Sequence, residues 1–457
     1  MSKRFVWLLG AGALLLIAFL VACSSTYSSS SDGLLVVGSQ GSALLETFSF
    51  SLASGHAQEI SNSVNDTGSE TCVLSGNPSS IVLDKSGSFA YVILSATSDC
   101  PGSVTGIQIF TVNGSGEISP TGSPITLSAA TVGVCESGSN GTPTQESVPV
   151  VPVDLATDSS GKYLFVANAA TSDGTGNAAP GAVSVFAISN GTLTEVQGSP
   201  FTVPVSCNVP ANNLTTLAAS PTVFPVPVNG VVNAVCSNTP PPTAEYLYVT
   251  DSTQLGQVWE FSVDTSTGQL GVPGNYGAVP SFPTGSVPSG VTVDPCNRFV
   301  YVSNQGTSNT ISAFSICNGN ATQSPLCPGV NEGLPDGDGS LRAITGSPFS
   351  NIGAANFPGK LVVDAYGNYL YVLNGTNNIS PYKISPLSGT ISPLTPSPIA
   401  TGLGSTSIAL RSDDSWLFVT NFTAATISEY AMTPSSGALT SVPTIPTDNY
   451  PWGVAVK

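Results

Sequence analysis

Residues 358–404 read PGKLVVDAYGNYLYVLNGTNNISPYKISPLSGTISPLTPSPIATGLG, and the stretch divides into four short strands. Leu361–Val363 ends at the turn Asp364-Ala-Tyr-Gly367, Tyr369–Leu373 at Asn374-Gly375, and Ile379–Ile384 at Ser388-Gly389. Ile391–Leu394 runs out at Pro396. β-Branched and aromatic residues alternate with polar ones, and Gly, Pro, Asn and Asp punctuate the runs, the pattern of a small antiparallel meander. Four strands of this length cannot bury both of their faces alone, so the unit needs neighbours of its own kind.

It has them on both sides. The template is a Pro, an Asp six positions on, a Gly three further, then an aromatic strand ending near Asn. Pro78, Asp84 and Gly87 lead into Tyr91-Val92, and Pro152, Asp158 and Gly161 into Leu164–Asn168. Pro288 and Asp294 lead into Tyr301–Asn304, and Ser405 and Arg411 into Leu417–Asn421. A degenerate unit carries Tyr246–Thr250 and Trp259–Phe261. A seventh is split: Pro451–Val456 is a first strand with nothing after it, while Leu34–Val37, Phe48–Phe50 and Gly55 form the remaining strands with no first strand before them. The step from Phe48 to Gly55 matches those from Phe261 to Gly268, Tyr382 to Gly389 and Tyr430 to Gly437. Length alone would suggest about three domains, but joining the two ends closes a ring and removes both sheet edges. The expected fold is all-β, a seven-bladed β-propeller over residues 33–457.

Upstream of the propeller, Lys3 and Arg4 precede an apolar run from Phe5 to Val21, so residues 1–22 read as a signal peptide. Leu20-Val21-Ala22-Cys23 is similar to the lipobox of bacterial lipoproteins, which implies diacylation of Cys23. Residues 23–32 are a Ser-rich tether. The expectation is an exported, monomeric domain held by a lipid anchor to the cell envelope, with Ser24 suiting the outer membrane by analogy. The chain has 10 Lys+Arg against 27 Asp+Glu, and two of the ten lie in residues 1–22. A surface this acidic argues against nucleic acid as a partner.

The Tyr-Val-x-Asn strands (Tyr301–Asn304, Tyr371–Asn374) and the tails Gly198-Ser199-Pro200 and Gly346-Ser347-Pro348 resemble those of lactonase-type propellers. That family includes 6-phosphogluconolactonase-like and muconate-cyclising proteins and the related YVTN-repeat surface proteins. The resemblance covers about residues 33–457 and implies lactone hydrolysis using His, Arg and carboxylates near the central channel. The repeat motifs themselves are strand and turn residues. Asp84, Asp158, Asp294 and Asp364 fall in the tight turn after the first strand, where an Asp side chain bonds the backbone two residues on.

In a four-stranded blade the second-to-third and fourth-to-first connections share one face of the ring. The long connections 95–104, 121–151, 169–182 and 198–210 belong to this first face, and the insertion 317–339 to the opposite one. Loops of such length in a compact repeat are usually functional or disordered. Asp336-Gly-Asp338 in that insertion reads as a turn. Eight cysteines remain beside Cys23, an even number that suggests disulfides in an exported chain. Cys72, Cys100, Cys135 and Cys207 fall on the first face; Cys296, Cys317 and Cys327 fall on the opposite one, joined by Cys236 if the third blade starts near Leu214, which favours pairing within each face. No Cys-x-x-Cys occurs and there is one His, so neither a metal nor a cofactor is expected.

A nucleophilic triad needs a His, and His56 falls at an outer turn, away from the channel. Arg298 and Arg411 fall in opposite-face turns and Arg342 on an outer strand. What remains is a ring at the channel mouth, two residues past each leading Pro or Ser: Ser80, Asp154, Gly290, Lys360, Ser407 and Gly453, with Asn212 for the degenerate blade. Asp154 and Lys360 fall on blades about opposite each other. Tyr450 and Trp452 flank Pro451 at the same rim, where aromatic faces stack well on a sugar or lactone ring. Two functions follow. The first is a non-catalytic envelope module binding a glycan or an envelope protein. The second is a lactone hydrolase in which Asp154 is the base and Lys360 or Ser407 holds the carbonyl.

Overall fold

The computed structural model describes residues 32–54, 57–60, 74–98, 100, 102–134, 143–169, 171–172, 178–204, 213–219, 245–252, 256–273, 278–307, 309–317, 339–352 and 357–457. Residues 33–457 form one unit of seven antiparallel sheets arranged as a β-propeller. The blade that decides the fold comprises Pro358–Val363, Tyr369–Asn374, Asn378–Ile384 and Ile391–Pro393, with Ile399–Ala400 continuing the outer edge. Its strands pair in sequence order, with Leu361 opposite Val372, Tyr371 opposite Pro381 and Tyr382 opposite Pro393. Blades are numbered 1 to 7 from the one that begins at Asn77, so this is blade 5. Blade 7 joins the ends: Pro451–Val456 pairs antiparallel with Asp32–Ser39, Leu35 opposite Val456 and Val37 opposite Val454. The expected signal peptide, Cys23 and the expected tether as far as Ser31 lie outside the described residues, while Asp32 already belongs to the first strand.

The second strands are buried from end to end, as in Phe299–Asn304, Tyr369–Asn374 and Trp416–Asn421. A blade sandwiched between two others has no solvent face, so alternation gives way to continuous apolar runs. One apolar cluster fills each of the seven joints. Between blades 5 and 6, for example, Tyr371 and Leu373 pack with Ile408, Leu417 and Tyr430. Tyrosines of the second strand add a polar tie. The hydroxyls of Tyr248, Tyr301 and Tyr371 donate to the carbonyls of Gly339, Gly389 and Gly437 in the next blade at 2.9, 2.9 and 2.8 Å. Gly437 has a φ of 68°, and a Cβ there would lie 2.4 Å from the Tyr369 ring, so only glycine lets the turn seat on the aromatic.

The Asn that ends the aromatic strand is structural. Asn168, Asn304, Asn374 and Asn421 donate their side-chain amides to Ser184, Ser312, Ser380 and Ser428 on the third strand at 2.8–3.0 Å. Blade 7 swaps the partners, with the Ser39 hydroxyl donating to Glu46, and blade 3 uses Asp251 with the Trp259 indole N–H. The turn aspartates also serve the backbone: Asp84 takes the N–H groups of Ser86 and Phe89, and Asp158 those of Ser160 and Tyr163. In the Gly-Ser-Pro tails, the hydroxyls of Ser199 and Ser347 accept the N–H groups of Val185 and Ala313, where the outer strand breaks.

Some local readings change. The connection 121–151 holds more strand than its turn-rich sequence suggests, because the outer strand of blade 1 runs on to Ile125 and Ala130–Val134 pairs with Thr144–Val148 in a separate hairpin. Thr171–Ser172 and Ala178–Ala179 pair within 169–182. Cys100, Cys296 and Cys317 are disulfide-bonded. Cys72, Cys135, Cys207, Cys236 and Cys327 lie outside the described residues, as do Gly55, His56 and Asp336-Gly-Asp338.

Candidate functional site

All seven inner strands carry a β-bulge at the same place, just inside the first face. The register shifts between Pro78 and Ile81, Pro152 and Asp154, Leu214 and Leu217, Pro288 and Gly290, Pro358 and Leu361, and Ser405 and Ser407, and opposite Gly453 in blade 7. A bulge re-aims the side chain it frees from the ladder. Here it brings Asp154 of blade 2 and Lys360 of blade 5 together across the lumen, with Lys360 Nζ 3.3 Å from Asp154 Oδ1. The Ser80 hydroxyl of blade 1 donates to the same oxygen at 2.9 Å. Ser407 is buried at its ring position, with its N–H donated to the Thr420 hydroxyl at 3.1 Å. Gly290 and Gly453 present no side chain. The blade 3 position belongs to Thr216, buried and 2.8 Å from the Thr250 hydroxyl, while Asn212 lies outside the described residues.

Hydroxyls that the motif reading passed over brace the mouth. Thr215, Ser289 and Thr406, one residue past each leading residue, donate to the carbonyls of Pro288, Pro358 and Pro451 in the next blade at 3.4, 2.6 and 3.2 Å. The backbone around the ion pair is thereby pinned blade to blade. The space left at this level, lined by Asp154, Thr216, Gly290 and Lys360, is about 70 Å³. Ligand pockets run to roughly 300–1,000 Å³, so a lactone ring enters here only if the Asp154–Lys360 pair opens.

Outside the ring, the same face carries an aromatic platform. Tyr450 stacks on Phe422 with ring centroids 4.7 Å apart at 26°, and Trp452 meets Phe422 edge-on at 5.6 Å and 85°. Tyr450 is 49% exposed and Trp452 40%, so faces of both rings remain open to solvent. Tyr450 has a φ of 63°, and the equivalent residue of blade 5, Phe357, has a φ of 40° and is likewise exposed. Phe422 could not be found from the repeat, because it sits in a second-to-third connection where no other blade carries an aromatic residue.

Shifted carboxyls lie away from this mouth. Burial pushes Glu46 up to about 7, and Glu245 and Glu429 up to about 8. Burial also raises Asp364 to about 6 and Asp414 to about 7 at the joint of blades 5 and 6. Arg298 is fully buried against Asp294, at 2.7 Å. Arg411 pairs with Asp413, and Arg342 lies on the outer strand of blade 4. None of the three arginines reaches the ring. Among the described residues, no three His, Cys, Asp or Glu side chains converge on a metal position.

No family model matches the chain, and no curated protein matches it. Solved structures do. The periplasmic gluconolactonase of Pseudomonas aeruginosa is 18% identical, with a TM-score of 0.61 over 93% of this chain and 99% of that one. A candidate 6-phosphogluconolactonase from Bacteroides fragilis is 16% identical, with a TM-score of 0.59 over 95% and 100%. One from Bacteroides uniformis is 18% identical, with a TM-score of 0.59 over 93% and 100%. At these identities the likeness is one of architecture: the chain adopts the lactonase-like seven-bladed propeller fold.

Proposed function

We propose that this protein is an exported, lipid-anchored propeller of the bacterial cell envelope that binds a glycan on its first face without turning it over. One observation carries the reading: the exposed Tyr450–Phe422–Trp452 platform stands beside a lumen mouth closed by its own ion pair. Flat aromatic faces next to hydroxyls and backbone carbonyls suit the apolar face and polar rim of a pyranose ring. The reading includes the anchor at Cys23, a monomeric domain, and disulfides pairing the eight other cysteines within each face. It is tested by titrating the domain calorimetrically with N-acetylglucosamine and cellulose oligomers. Trp452→Ala with Tyr450→Ala is expected to weaken binding about tenfold or more. No saturable binding by wild type, or binding unchanged in the double variant, sinks the idea.

A second reading is a lactone hydrolase, supported by the architecture shared with a periplasmic gluconolactonase and by Asp154, Lys360 and Ser80 meeting at the mouth. Asp154 would act as base, with Lys360 or Ser407 on the carbonyl. The first reading is preferred because Lys360 already spends its ammonium on Asp154. Hydrolysis of gluconolactone above background, lost on Asp154→Asn with Lys360→Ala, would reverse that preference.

A further inference from the structure

The lumen has a second end, and it differs in kind. Toward the opposite face the channel widens into a cavity of about 420 Å³. Val82, Val362, Ala409 and Ala455, from four different inner strands, are among its walls. These aliphatic side chains surround a space large enough for a small ligand, where the first-face end has room for little more than water. The Asp154–Lys360 pair crosses the lumen beyond them. Water held against aliphatic walls is released favourably when an apolar group replaces it.

The rim adds charge. Lys85 and Lys457 line the opening together with Asp84, Thr157 and Ser412. This is a local concentration of cations in a chain with 10 Lys+Arg and a net charge of −17. Asp84 is already occupied by its own turn, taking the N–H groups of Ser86 and Phe89 and the Ser86 hydroxyl. Those bonds hold its carboxyl below the usual range even though burial opposes them. Lys457 is laid over the rim by Gly87: a Cβ there would come within 2.2 Å of its side chain, and the Gly87 φ is 66°. Lys85 donates to the Ser159 carbonyl at 3.2 Å, leaving two of its three N–H groups for a ligand.

We propose that this chamber is a ligand site, separate from the first-face platform, for a small monocarboxylate with an aliphatic body. The body fills the lumen between Val82, Val362 and Ala409, and the carboxylate takes hydrogen bonds from the ammonium groups of Lys85 and Lys457. Asp84 is taken up by its own turn and the Lys457 main-chain carboxyl oxygen by Arg411 Nε at 3.1 Å, which leaves the two ammonium groups to hold one carboxylate.

The probe is octanoate, titrated calorimetrically into the full-length protein, with octanol and octylamine as headgroup controls. Octanoate is expected to bind and octylamine not. Lys85→Gln with Lys457→Gln, both exposed side chains, is expected to weaken octanoate about tenfold or more while leaving octanol unchanged. Ala409→Phe, which fills the chamber, is expected to abolish binding of both. The proposal is overturned if wild type gives no saturable heat with octanoate, if octylamine binds as tightly, or if Ala409→Phe binds octanoate like wild type. If Ala409→Phe does not fold, the lysine pair decides, since equal octanoate affinity there removes the carboxylate site. Glycan binding at Trp452 is read separately and bears on neither outcome.

Discussion

The joint between blades 4 and 5 and the joint between blades 5 and 6 use the same turn with opposite electrostatics. In the first, the buried Arg298 clasps Asp294 through Nε at 2.8 Å and Nη2 at 2.7 Å, then donates across the joint to the carbonyls of Gly367 and Pro386. In the second, the position matching Arg298 is Asn368, and the one matching Gly367 is Asp414. Asp364 is bound there by the N–H groups of Asn368 and Tyr369, and Asp414 by that of Ala365, so two buried carboxyls face each other with no guanidinium hydrogen-bonded to either. Both joints keep the tyrosine tie and the apolar cluster. Packing and backbone geometry therefore define a joint, while its charge state is free to vary.

Breaking the first joint is expected to have the largest effect. Arg298→Met leaves Asp294 buried without its cation, and a loss of about 3–5 kcal/mol in denaturant unfolding follows. A loss below about 1 kcal/mol, as for an exposed pair, would show that Asp294 finds another partner.

Next in size is converting the second joint into the first. Asp364 and Asp414 have native values near 6 and 7, against an ordinary 3.8, because burial disfavours their charge. The folded state thus holds these protons more tightly than the unfolded chain, and stability falls as pH rises from about 4 through 7. Glu46, Glu245 and Glu429 are shifted the same way. Wild type is expected to unfold at higher denaturant at pH 5 than at pH 8. Asn368→Arg with Asp414→Gly, which gives Asp364 a cation and clears the space that a side chain at the Gly367 position would fill, is expected to add about 2 kcal/mol at pH 8 and much less at pH 5. An equal change at both pH values would contradict the acid-pair assignment. The smallest effect tests what the joints share. Tyr371→Phe removes the bond to Gly437 and is expected to cost about 1 kcal/mol, independent of pH.

These joints also mark what the sequence can reveal. The repeat was legible because Pro358, Asp364, Gly367 and Tyr369 are held by local turn chemistry that recurs blade by blade. Blade 3 breaks the template: Leu214 stands where the leading Pro would, so Thr216 replaced Asn212 at the ring. Glu245 and Glu429 are charged residues on strands, yet they are buried because a blade flanked by two others has no outer face. That Asp154 and Lys360 fall on roughly opposite blades follows from counting units. Their meeting depends on the lumen's width, which no spacing encodes. Phe422 is one exception in a connection that varies freely, and it became meaningful only once Tyr450 was seen stacked upon it.

The pairing of Leu35 with Val456 sets an order of events in time. During synthesis six blades can fold as they emerge, each against the one before, while strands 32–59 wait without an inner partner. That partner lies beyond the other six blades, so the ring stays an open arc until all of them have been made. Closing it means bringing together positions some four hundred residues apart, a step whose entropic cost grows only slowly with length. Until then the strand at Leu34–Val37 presents an unpaired apolar edge of the kind that recruits strands from other chains. The interval before closure, more than the finished ring, is where this protein is exposed to misassembly.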